Sequence, residues 1–351
     1  MIVNTDCKYY RGDIPCVYHK RQGVHCERCG YYEKLKERIL IIKLGAIGDV
    51  IRTTPLLHKL KSEYPDAQIH WLTDTPEILP SQIDKVYRFD IRDIEILKSM
   101  SFHLLLNLDK DREACALANR IKAKTKKGFK FVDGHCSPIG NAAEAKWITG
   151  LFDDVNQSNT KSYLEEIFEI CGYKFQGEEY IFELHEKAKN WDLKYEKSII
   201  GLNTGCGERW QTRLWPETHW IELAMKLIHA GYEVLFLGGE QEHKKNLRLA
   251  KKTGGLYKGY YSLDDFIGLM NQCDLVVTAV TMALHIAIGL KKKIVLFNNI
   301  FNKNEFELYG HGVIIEPDKG CKGCFKNVCD EACMEMITPE MVFENINCLM
   351  K

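Results

Sequence analysis

The chain of 351 residues has no net charge, since 48 Lys and Arg balance 48 Asp and Glu. No global field steers it toward nucleic acid, so an anionic partner must be met by a local patch. Long apolar runs are missing too, because charges such as Lys43 and Asp49 interrupt them, and no transmembrane helix is expected. The opening Met1-Ile-Val-Asn-Thr-Asp-Cys7 is not an export signal, which makes a cytoplasmic location the expectation. No glycine turn has the G-x-G-x-x-G spacing and no acidic ribose partner is evident, which disfavours a nicotinamide oxidoreductase. Nor does an Asp-x-Asp pair suited to a catalytic magnesium ion stand near the glycine-rich loops, because Asp153-Asp154 and Asp264-Asp265 fall in helical surroundings. What is present is 45% hydrophobic and 11% aromatic content, enough for the cores of two α/β halves.

The most informative stretch runs from Arg38 to Pro55. Ile39 to Ile42 are apolar and mostly β-branched, as in a strand covered on both faces, and Leu56, Leu57 and Leu60 then recur at helical spacing. Between them Gly45 and Gly48 permit close approach of a ligand to the backbone, and Asp49 falls at the start of a helix, where the dipole favours an ionised carboxylate. Asp49 is thereby a candidate base, although a helix-capping aspartate has the same local pattern. A second unit of this kind begins at Ser198. An apolar strand runs into Thr204-Gly-Cys-Gly207, then Arg213, then a helix announced by Pro216 and ended by Gly231, a strand over Glu233 to Leu237, and Gly238-Gly239-Glu240. A third, Cys273 to Leu290 followed by Lys293 to Phe297, contains Thr281 and His285; a helix starting at Thr281 can hold phosphate oxygens, and His285 is either a core histidine or a ligand.

These three segments, in order and spacing, resemble glycosyltransferase family nine, the ADP-heptose:lipopolysaccharide heptosyltransferases. The resemblance spans roughly residues 38 to 350. One departure stands out: the family's aspartate falls on Val280 and its glycine on Met282, while Thr281 and His285 are kept. Because that aspartate is associated with the donor sugar's hydroxyls, the sugar is left open. The resemblance implies a GT-B fold, two Rossmann-like domains with a cleft between them. It also implies an inverting transferase moving a sugar, heptose by family, from a nucleotide diphosphate sugar to a lipopolysaccharide-type or other cell-envelope glycan. The partners so implied are a nucleotide-sugar donor, ADP-heptose foremost, and an envelope glycan acceptor, with peripheral contact at the inner face of the membrane. In that reading Asp49 and Arg213 are catalytic. Thr204, Gly205, Gly207, Gly239, Glu240, Thr281 and His285 bind donor, and Gly48 and Arg52 bind acceptor. The alternative is a non-catalytic nucleotide- or glycan-binding relative with structural metal sites.

Fourteen cysteines in a reduced compartment point to metal. Cys7, Cys16, Cys26 and Cys29 form one set, Cys321, Cys324, Cys329 and Cys333 another. Four thiolates suit structural zinc or an iron–sulfur cluster, and zinc is favoured for the first set, whose segment has few aliphatics to bury. The expected organisation is a cysteine-rich, metal-binding module over 1–33 and a Rossmann-like acceptor domain over 34–190. A donor domain over 191–337 follows, then a helix over 338–351, opened by Thr338-Pro339 and returning to the first half. Strands in the first half are expected at Ile39–Lys43, Gln68–Leu72, Lys85–Phe89, Phe102–Asn107 and Lys127–Phe131. The segments Asn107–Lys110 and Phe131–Ser137 stand at strand ends, where they line an acceptor site or are plain turns.

Overall fold

The computed structural model describes residues 1–184, 188–189, 191, 193, 196–207, 209–318 and 323–351. Cys321 lies outside these, as does part of the connector before Ser198. The chain divides into two compact units. The first comprises Met1–Leu44, Leu56–Pro76 and Ser81–Ala143; the second comprises Gly45–Pro55, Glu77–Pro80 and Glu144–Lys351. The turn carrying Asp49 therefore groups with the second unit, although the strand that leads into it belongs to the first. The helices of 141–170 do likewise from Glu144 onward, so the change of unit falls well before residue 190.

In the first unit β1 (Arg38–Ile42), β2 (Gln68–Leu72), β3 (Lys85–Tyr87), β4 (Ser101–Asn107), β5 (Lys122–Val132) and β6 (His135–Ile139) form one sheet in the order β3-β2-β1-β4-β5-β6. Neighbours β3 to β5 pair in parallel, as expected of alternating strands and helices. β6 is an addition that closes the edge antiparallel to β5. Its loop is Asp133-Gly134, both at positive φ, so Phe131–Ser137 is a tight hairpin. Asn107–Lys110 is a structural turn as well: Asp109 is buried and accepts from the Lys43 ammonium at 3.3 Å and the Leu44 amide at 2.9 Å, joining the ends of β1 and β4.

In the N-terminal segment the four cysteines fall on separate local features. Cys16 caps the short helix Val17–Gln22 with its sulfur, Cys7 lies in a bridge to Lys34, and Cys26 and Cys29 stand on and just after one 3-10 turn. Among the described residues no three His, Cys, Asp or Glu side chains gather to hold a metal, the later Cys324, Cys329 and Cys333 included. Tyrosines organise the segment instead. Tyr18 stacks on Tyr31 at 4.1 Å and meets Tyr9 edge-on at 4.8 Å, and Tyr9 donates to Glu33 at 2.7 Å.

The second unit holds β7 (Ile199–Asn203), β8 (Glu233–Leu237), β9 (Leu256–Tyr257), β10 (Leu275–Ala279), β11 (Lys293–Phe297) and β12 (Gly312–Ile315). They run parallel in the order β12-β11-β10-β7-β8-β9, a doubly wound sheet whose strand order reverses between β7 and β10. Trp215, Trp220 and Phe297 pack within 6 Å of one another in its core. The final helix, Pro339–Met350, is capped by Thr338, as its sequence requires. It buries Val342 and Ile346 in this core, and Tyr232 donates to Asn347. Among the described residues no helix is long and apolar enough to cross a membrane.

Candidate active site

The loops that leave the carboxyl ends of β7, β8, β10 and β11 surround a pocket of about 880 Å³, inside the range of ligand sites. Asp49 lies in its wall, on the helix Ile47–Ile51. That helix lies against the helix Met282–Gly289, and Gly48 is what permits it: a β-carbon there would stand 2.5 Å from His285 Cδ2. The Thr53 hydroxyl donates to the Asp49 carbonyl at 2.7 Å and meets the Tyr163 hydroxyl at 3.2 Å, which fixes the helix from behind.

The glycine loop after β7 lines the same pocket through Gly205, Cys206 and Gly207, and a β-carbon on Gly205 would collide with the Glu242 carboxyl group at 2.4 Å. Arg213 is buried at the rim. Its Nη2 donates to the Cys206 carbonyl at 2.6 Å and its Nε to that of Trp210 at 3.3 Å, so the cation is tied to the loop, and burial lowers its pKa. Gly239 and Glu240 follow β8, and the Gly239 amide donates to Glu242 at 3.0 Å. Thr281 caps the helix Met282–Gly289 through the Ala283 amide. His285 lines the pocket with Nδ1 3.2 Å from the Tyr180 hydroxyl; burial, then the nearby Arg52, pushes its pKa down to about 3, so the imidazole is neutral at working pH.

The residues expected to be catalytic or to bind donor or acceptor thus line one pocket, with one exception. Thr204 does not: it is buried behind the loop, its hydroxyl donating to Asn246 at 2.6 Å while its carbonyl accepts from Lys245 at 2.7 Å. Arg52 lines the pocket, but its guanidinium is engaged within the protein, 2.7 Å from Asp49 Oδ1, 3.9 Å from Glu305 and 3.5 Å above the Tyr163 ring. Unforeseen wall residues are Trp210, Tyr261, Phe266, Phe301, Glu305 and Phe306. Those at 301–306 follow β11, and the rule that ligands gather at the carboxyl ends of parallel strands points to that turn.

The family model of glycosyltransferase family 9 (heptosyltransferase) matches residues 92–335, more than half of the chain. The chain belongs to this family. The protein is accordingly a glycosyltransferase. It is 25% identical over 297 residues to the lipopolysaccharide heptosyltransferase 1 of Campylobacter coli, covering 73% of this chain and 82% of that one. Among solved structures, a family 9 glycosyl transferase from Veillonella parvula superposes with a TM-score of 0.70 at 19% identity, over 90% of this chain and 97% of the other. The E. coli ADP-heptose lipopolysaccharide heptosyltransferase II gives 0.64 at 19% identity, over 89% and 98%. The likeness confirms the fold expected of the glycosyltransferase, Rossmann-like α/β units of the GT-B kind.

Proposed function

We propose that this glycosyltransferase moves a heptose from ADP-heptose to a lipopolysaccharide-type acceptor of the cell envelope, with inversion at the anomeric carbon and Asp49 as general base. The observation that carries the proposal is the composition of the pocket: a carboxylate on a helix stands in the same cavity as two glycine loops and the buried Arg213. The relatives named above supply the donor and acceptor class. An acceptor of that kind is held in a membrane, so peripheral contact at the inner face belongs to the same reading.

In this mechanism the acceptor oxygen attacks the anomeric carbon from the face opposite the diphosphate. Its proton passes to Asp49, the bond from carbon to diphosphate oxygen breaks, and the electron pair leaves with the nucleoside diphosphate. Backbone amides at Gly205 and Gly207, the start of the helix after Thr281, and the loop-tied Arg213 would stabilise the charge that collects there. A positioned base contributes about 10²- to 10⁴-fold. The aromatic wall of Tyr261, Phe266, Phe301 and Phe306 offers stacking area for a nucleobase.

The test is release of nucleoside diphosphate from a panel of sugar donors, ADP-heptose included, with envelope glycan as acceptor. Acceptor-dependent release that drops at least about 10²-fold in Asp49→Asn supports the assignment. Full activity of that variant rejects the base; release from a different donor corrects the sugar, for which Val280 and Met282 are the residues to examine.

A further inference from the structure

Arg52 sits three residues after Asp49, as the C-cap of the helix Ile47–Ile51, and it is the more deeply held of the two: its side chain is 12% exposed, that of Asp49 32%. One face of its guanidinium lies on the Tyr163 ring, Nη2 meets Asp49 Oδ1 and Nη1 faces Glu305, while Nε is buried without an acceptor. A cation so enclosed has spent its reach on its own protein. Burial alone would favour the neutral form; attraction to Asp49, Tyr163 and Glu305 outweighs it and holds the charge.

We propose that Arg52 is a positioning residue: clamped between the Tyr163 ring and two carboxylates, it fixes the rotamer and charge of Asp49 and does not contact the acceptor. The inference rests on the reading of Asp49 as base. The Nη2–Oδ1 contact holds the carboxylate through one oxygen, and the adjacent charge keeps it ionised to lower pH. Glu305, from the 3-10 turn Lys303–Glu305, draws on the same cation and weakens that effect. Other titratable groups face the pair. His285, from the helix Met282–Gly289, is neutral, and burial raises Tyr180 well above the usual phenol range. Tyr163, from the helix Tyr163–Ile170, presents its ring, and Glu307 acts on Tyr180.

The experiment is the pH profile of kcat and of each KM in Arg52→Gln, Arg52→Lys and Glu305→Gln. In Arg52→Gln the acid limb is expected to move up by about 1–2 pH units with kcat down about 10- to 100-fold, and both KM values within about 2-fold of wild type. Arg52→Lys keeps the charge but not the planar fork, so its limb stays near wild type while kcat falls in part. Glu305→Gln, which leaves the cation to Asp49 alone, moves the limb down. In Arg52→Gln a rate loss with an unmoved limb would show a merely structural arginine, and a raised acceptor KM with unchanged kcat would show an acceptor contact; either overturns the inference. Should Arg52→Gln fail to fold by circular dichroism, the other two variants decide it, since an unmoved limb in Glu305→Gln also refutes it. Asp49→Asn, run in parallel, separates the readings: full activity there removes the base itself, whereas inactivity with no limb shift in the arginine and glutamate variants removes only the role of Arg52.

Discussion

Replacing Gly48 by alanine sets two effects of opposite sign against each other. Gly48 lies in the helix Ile47–Ile51 at ordinary helical φ, where alanine is favoured over glycine by about 0.5–1 kcal/mol. The new β-carbon, however, would stand 2.5 Å from His285 Cδ2 and 3.3 Å from Nε2. An ordinary carbon contact begins near 3.5 Å, so about 1 Å of movement is needed, and His285 is buried with its other nitrogen on Tyr180. Overpacking of this size costs about 1–3 kcal/mol, which exceeds the helix gain. Gly48→Ala is therefore expected to lose about 1–2 kcal/mol in urea unfolding followed by circular dichroism. In a His285→Ala background the colliding ring is absent, and the same substitution should become neutral or stabilising by up to about 1 kcal/mol. Activity should follow: a 1 Å displacement next to Asp49 costs about 10²-fold in kcat. Equal destabilisation in both backgrounds, or a gain in the wild-type one, would refute the account of why glycine stands here.

Three further outcomes follow from the geometry. Thr338→Ala removes the cap that accepts from the Met341 amide and should cost about 1 kcal/mol, seen as a lower urea midpoint for the second unit. Asn246→Ala breaks the link from the Thr204 hydroxyl to the Leu237 carbonyl, leaving buried groups unsatisfied; about 1–3 kcal/mol of stability and weaker nucleotide binding by calorimetry are expected. His70 is buried in the first sheet beside Gln68 and Tyr87, and burial, then Arg38 and Lys85, pushes its pKa down to about 3. A histidine depressed on folding takes up protons on unfolding between pH ~6.5 and ~3, so stability falls as pH drops through that window, by about 2–3 kcal/mol at pH 4.5. Urea midpoints from pH 7 to 4.5 should therefore decline less steeply in His70→Phe than in wild type.

What could be read from the sequence is what local periodicity and turn chemistry encode. Runs rich in apolar residues marked β1, β2, β4, β7, β8, β10 and β11 because strands covered on both faces are mostly apolar, and Pro216, Gly231 and Thr338 fixed helix ends through backbone chemistry alone. β6 was legible in principle, since Asp133-Gly134 between alternating residues is a hairpin signal; the polar His135 and Ser137 hid it. The thiol spacing suggested metal because spacing says nothing of where sulfurs point. Cys16 faces its own helix, and the tyrosine rings of the segment pack on one another. The setting of Arg52 was not legible at all. Seen from its own helix it is one more basic residue beside an acidic one, and neither Tyr163 nor Glu305 has a local pattern that aims it at residue 52. Only the fold brings an aromatic face and a second carboxylate to that guanidinium. A charge thus enclosed is costly unless its partners are in place, so the identity of Arg52 reports on the geometry of Asp49 more than on any ligand.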